Sequence, residues 1–217
     1  MINNELRAAA RTRYLPWVRA GCALAVFVVI AFAVRRLFVD FPALGVALGS
    51  TAEDVQYAAH RLPAYAHIVP GVVYLVGGAV QLSGRIRRRH YVLHRRLGRV
   101  VLICGLVSGI FAIVFGLRYA FGGRAEAAAT LCFGIWFEAC LLIAYGCIRR
   151  GLVPNHRRWM IRAYAAASAV GTIRILLAGL IIPFSFPDAF AVGFWLAFPL
   201  HLAVAELYLR RAPVPAG

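Results

Sequence analysis

Six long apolar runs, separated by clusters of arginine or by breaks rich in glycine and proline, decide what this chain can become. About 20 mostly apolar residues carry a helix across the hydrocarbon of a bilayer. The runs reach or approach that length from about Trp17 to Val34, Leu62 to Leu82, Val100 to Phe121, Ala127 to Ile148, Trp159 to Ile182 and Ala189 to Leu209. Water has no place for them. Of the 217 residues 62% are apolar and 15% charged, against roughly 45–50% and about 25% in soluble domains. A chain of this size cannot bury such an excess. The expected fold is an all-α polytopic transmembrane helical bundle of six spans.

The arginines orient it. Twenty-four basic residues, every one of them Arg, face eight acids, for a net charge of +16. Such a balance signals nucleic-acid binding only where the bases share one solvated surface. Here they sit in short clusters between apolar runs, as in cytoplasmic loops. With both termini inside, eighteen arginines fall on the cytoplasmic side. Five (Arg35, Arg36, Arg61, Arg118 and Arg124) fall outside, and Arg174 lies within the membrane. The chain therefore reads as a bacterial inner-membrane protein with three parts: a cytoplasmic segment 1–16, a bundle 17–209 and a cytoplasmic tail 210–217. Its expected partners are the bilayer and anionic lipid head groups, and no nucleic acid. Ala31-Phe32-Ala33 imitates a signal-peptide cleavage site, but it lies inside the first run and Val34-Arg35-Arg36 follows. The first run thus reads as an uncleaved anchor. Between Arg35 and Arg61 a short helix is expected around Ala52 to His60.

Polar groups inside a span are costly and commonly face the bundle interior, so they are the first functional candidates. His67 and Arg174 fall about 8 and 12 Å below the outer ends of their spans at ~1.5 Å per residue, with Arg118 at an outer end. These three are expected to line a cationic pocket opening outward. Glu138 and His201 share a depth near the midplane, and pairing would lower the cost of burying either. Its plain reading is a structural hydrogen bond; its functional one is a proton relay.

At the inner face, the third and fifth runs are each entered through His-Arg-Arg: His94-Arg95-Arg96 with Arg99, and His156-Arg157-Arg158 with Arg162. Topology and lipid attraction need only arginine. The histidines therefore point further, to an anionic ligand, phosphate or quinone head group, or to haem. His94 and His156 match in depth as a haem b pair would, but at the interface, and the usual two transmembrane histidine pairs are absent. The cysteines (Cys22, Cys104, Cys132, Cys140, Cys147) form no Cys-x-x-Cys pair and read as small apolar residues. No His-Glu-x-x-His, Gly-x-Ser-x-Gly or phosphate loop is present, so no catalytic residue is assigned.

One constellation carries a resemblance. His67 and Pro70 precede Gln81; His94-Arg95 with Gly98-Arg99 follow; then come His156-Arg157 with Trp159-Met160 and Arg162, and finally Arg174. The set resembles the family of multi-pass bacterial membrane proteins catalogued as domain of unknown function 2306, over about His60 to Arg174. Arg96 stands where such proteins are expected to carry an apolar or aromatic residue. The resemblance implies a helical membrane bundle, supplies no established reaction, and groups these polar positions into one framework. The leading expectation is a small-ligand-binding membrane protein, redox-associated, with a quinone among its candidate ligands. A haem b electron carrier, a proton-coupled transporter and a structural partner subunit stand as alternatives.

Overall fold

The computed structural model of the chain describes residues 2–40 and 59–211. The helix expected around Ala52 to His60 falls almost wholly outside these residues, and so does the tail beyond Arg211. Among the described residues there are seven α-helices and no strand. They are α1 (Ile2–Arg35), continued by a π-helical turn Arg36–Asp40, then α2 (Arg61–Leu82), the short α3 (Gly84–Arg89) and α4 (Tyr91–Arg118). The last three are α5 (Gly123–Arg149), α6 (Val153–Leu180) and α7 (Phe186–Arg211). Six of the seven are long and apolar enough to span a membrane.

The helices outrun the apolar stretches that betray them. α4 begins at Tyr91 rather than near Val100, and α6 at Val153 rather than near Trp159. Arginine is a good helix former, so a basic cluster ends the hydrophobic signal without ending the helix. The stops are local chemistry. α5 closes in a Schellman turn: Leu152 N donates to Cys147 O at 2.9 Å and Gly151 N to Ile148 O at 3.1 Å. Gly151 has φ +74°, where a side chain is strained. Pro154 then stands in the first turn of α6, where its missing N–H costs nothing. α7 starts at a serine N-cap, Ser185 Oγ accepting from Asp188 N at 3.4 Å and donating to Asp188 Oδ2 at 2.6 Å.

Successive long helices run antiparallel, α2 against α4, then α4, α5, α6 and α7 in turn, with α1 laid along α6. One end of the bundle, the basic end, gathers the arginines of α3, the start of α4 and the start of α6; Arg118 marks the far end. Small residues bring the backbones close, as in membrane bundles generally. A Cβ at Gly105 would meet Tyr74 at 2.7 Å, and one at Gly116 would meet Thr130 Cβ at 2.9 Å. α1 crosses α6 where Gly171 faces the backbone of Ala25. Among the described residues three interior clusters result: Tyr74, Leu75, Val101, Leu141 and Tyr164 in one, Phe133, Ala166, Ile173 and Phe198 in the second, and Ala64 with Phe115 in a small third. Large apolar side chains face outward as well. Ile103, Ile110, Val114 and Leu117 form an exposed stripe along α4, the surface that hydrocarbon rather than water covers.

Candidate functional site

A partly open cavity of about 220 Å³ lies inside the bundle, walled by all six long helices. Its lining is mainly apolar and rich in rings, with Phe32 from α1, Phe115 from α4, Phe133 from α5 and Phe190, Phe194 and Phe198 from α7. Phe133 and Phe198 stack at 4.7 Å between centroids, with an 8° angle between rings. Polar groups interrupt this wall: His67 on α2, Arg36 beyond α1, Arg174 on α6, and Glu126 and Thr130 on α5.

His67 is held in one orientation. Its Nδ1 lies 2.9 Å from the carbonyl oxygen of Ser108, and Ser108 Oγ donates back to the His67 carbonyl at 2.8 Å. A carbonyl only accepts, so Nδ1 carries the proton in this bond and the lone pair of the neutral ring resides on Nε2. The approach of α2 to α4 that makes this possible requires Gly71, whose Cβ would come within 2.8 Å of Ser108 Oγ. Arg174 lies between two rings, its guanidinium carbon 5.4 Å from the Phe32 centroid and 5.2 Å from that of Phe190. Rings in these positions stabilise a cation in an apolar setting. Arg36 and Glu126 are buried, at 7% and 4% exposure. Glu126 Oε2 accepts the N–H of Gly122 at 2.7 Å.

His67 and Arg174 thus line one cavity. Arg118 does not join them: it is exposed at the end of α4, turned round the helix from the cavity-facing Ser108, Ala112 and Phe115. Depth places a residue along a helix and says nothing of its rotation about the axis. The same distinction separates Glu138 from His201. His201 Nε2 lies 2.7 Å from Thr172 Oγ1, so its hydrogen bond goes to α6. Glu138 Oε1 is buried against Gly109 of α4 and has no hydrogen-bond partner among the described residues.

At the basic end, His156 Nδ1 lies 2.9 Å from the Ala144 carbonyl, and His94 and His156 are close enough for their charges to act on one another. Arg162 does not face a vacant site. Its Nε and Nη2 reach Glu206 Oε1 and Oε2 at 2.5 and 3.1 Å, and the Trp159 ring lies 4.6 Å from its guanidinium carbon. Arg95 lies over Tyr91 at 5.8 Å, Arg99 is exposed and Arg157 half-buried. Among the described residues no group of three or more His, Cys, Asp and Glu converges as a metal site.

Sequence reasoning passed over Arg36, Glu126, Thr130 and Glu206. Arg36 reads as an outer flank until the helix is seen to carry on through it. Glu126 had a signal, an acid in the first turn after Gly122-Gly123, where backbone N–H groups lack partners.

An all-helical bundle with six membrane-capable helices and polar residues gathered inside defines a multi-pass membrane protein. The sequence model of the family described as predicted membrane protein, DUF2306, matches residues 64–209, about two-thirds of the chain, and the protein belongs to that family. The match extends past Arg174 through α7 and leaves α1 outside. No curated protein and no solved structure matches.

Proposed function

We propose that this protein binds a small amphipathic molecule in the aromatic cavity, with the basic end of the bundle in the bacterial cytoplasm. The orientation rests on the distribution of arginines. The observation that carries the binding assignment is the fixed His67 ring on the cavity wall that also holds Arg174. Nε2 of the neutral ring accepts a hydrogen bond, whereas a guanidinium only donates. A matching head group offers a hydroxyl proton to one and a hydroxyl, carbonyl or oxyanion oxygen to the other, and its apolar body lies on the phenylalanines. A quinol or hydroxyquinone has this chemistry. About 220 Å³ suits one substituted ring, since a cavity of about 150 Å³ takes benzene.

The test is titration of the detergent-solubilised protein with decylubiquinol, followed by tryptophan fluorescence. His67→Ala and Arg174→Gln are each expected to weaken binding at least tenfold, or about 1.4 kcal/mol. Equal affinity in wild type and both variants overturns the assignment.

A further inference from the structure

The unused polar groups are at the basic end. His94 is the fourth residue of α4 and His156 the fourth of α6, so the repeated His-Arg-Arg of the sequence occupies one structural position twice. Both helices start at the same end of the bundle and run 28 residues, which brings two positive helix ends and two imidazoles to one side. The His156 ring is fixed by its bond to the Ala144 carbonyl. With Nδ1 donating to that carbonyl, its Nε2 faces elsewhere and can donate to an anion once the ring takes a second proton.

Gln81 completes the group. Its carboxamide lies over Gly98, 3.7–4.0 Å from where a Cβ would stand, and Gly98 is one turn beyond His94 on the same helix. Gln81 Nε2 and His94 Nδ1 are both buried, and neither has a hydrogen-bond partner among the described residues. Two neighbouring orphaned polar atoms in a native structure call for an explanation, because buried polar atoms are nearly always satisfied. The charges around them select the occupant. Arg87 acts electrostatically on His94, and Arg95, Arg96 and Arg99 follow on the same helix. A cation is repelled here. A carboxamide N–H, an imidazole able to carry its proton on Nδ1, and positive helix ends all suit an acceptor with several oxygens.

We infer that Gln81, His94 and His156 form a second site, at the basic end, for an oxyanion of phosphate type. This goes beyond the cavity assignment and does not depend on it. General attraction of arginines to an anionic surface accounts for neither buried orphan atom, so the site is expected to discriminate where a basic patch does not.

The oxyanion has two sources, a phospholipid head group or a soluble phosphate. The full chain in nanodiscs of phosphatidylcholine is titrated with inorganic phosphate by phosphorus NMR. In parallel, the protein is extracted from mixed phosphatidylglycerol and phosphatidylcholine vesicles and its retained lipid identified by native mass spectrometry. Saturable phosphate binding identifies the soluble source; selective retention of phosphatidylglycerol identifies the lipid. Either is expected to fall at least tenfold in Gln81→Leu and in His94→Ala. His94→Gln, which keeps a donor, and Arg149→Gln, an exposed control, retain most of it. If neither form of binding is seen, or if Arg149→Gln loses as much as His94→Ala, the site is refuted. His94→Gln guards against a variant that merely misfolds. Decylubiquinol binding in the same variants stays unchanged, which separates this site from the cavity.

Discussion

Gly171 offers the sharpest test of how the bundle holds together. Its Cα faces the backbone of Ala25, and a Cβ placed there would stand 2.6 Å from the Ala25 carbonyl carbon and 2.8 Å from its Cα, with the carbonyl oxygen nearer still. Ordinary contact begins near 3.4 Å, so α1 must withdraw by about 0.8 Å or more to admit one methyl group, a cost of ~1–3 kcal/mol by overpacking. Backbone cannot swing aside as a flexible side chain can, and Ala25 is only 1% exposed. Valine needs a larger retreat. Because α1 contributes Phe32 to the cavity and the turn that continues it contributes Arg36, loosening it disturbs binding too. Gly171→Ala is expected to lower the melting temperature in detergent by several degrees, at ~2–4 °C per kcal/mol for a chain of this size. It should also speed alkylation of half-buried Cys22, three residues from the crossing. Gly171→Val exaggerates both. Gly179→Ala, on the same helix with nothing within 4 Å of its Cβ, changes neither. Should Gly171→Val melt with the wild type and leave Cys22 as slow to react, the crossing does not hold α1 and the reasoning fails.

Three further outcomes are expected. Gly151→Ala forces a side chain into positive φ and should destabilise by about 1–2 kcal/mol, while Gly146→Ala does not; equal melting temperatures for the two would disprove the strain. Glu206→Gln removes the carboxylate clasped by Arg162, and since Glu206 is 37% exposed the loss should be about 1 kcal/mol. A double-mutant cycle with Arg162→Gln reads the coupling, and strict additivity would contradict the pair. Glu138→Leu deletes a buried oxygen that has no partner among the described residues, so the melting temperature should hold or rise; a clear fall would contradict that reading.

How much of this was legible beforehand depends on which physical quantity writes itself into a one-dimensional string. Transfer free energy does, residue by residue, and so all six spans could be located, though not where their helices begin: α4 starts nine residues before the apolar run that marks it. Depth also follows, because helical rise is constant. Rotation about the axis does not: it is fixed by neighbours, and here by where glycines let helices approach. His67 and Arg174 share a wall because Gly71 admits α2 to Ser108 and Phe32 and Phe190 flank the guanidinium. Arg118 has the right depth and the wrong rotation. Glu138 and His201 match in depth, yet the imidazole turns to Thr172 and the carboxylate to Gly109. Arg36 and Glu206 were hidden for another reason, since a charged residue at a run's edge reads as a solvated end until packing buries it or supplies its partner.

The short link at Gly151 has a consequence for biogenesis. α6 is less apolar than α5 over its best membrane-spanning stretch, and it bears Arg162 and Arg174 within its length. Entering a bilayer alone, it would be a poor passenger. The three residues between α5 and α6 are held by their own hydrogen bonds and leave no slack. The two helices are therefore expected to partition as one hairpin, the greasier arm carrying its polar twin across. Lengthening that link with a flexible insert would uncouple them, and α6 would then be left behind at the membrane surface.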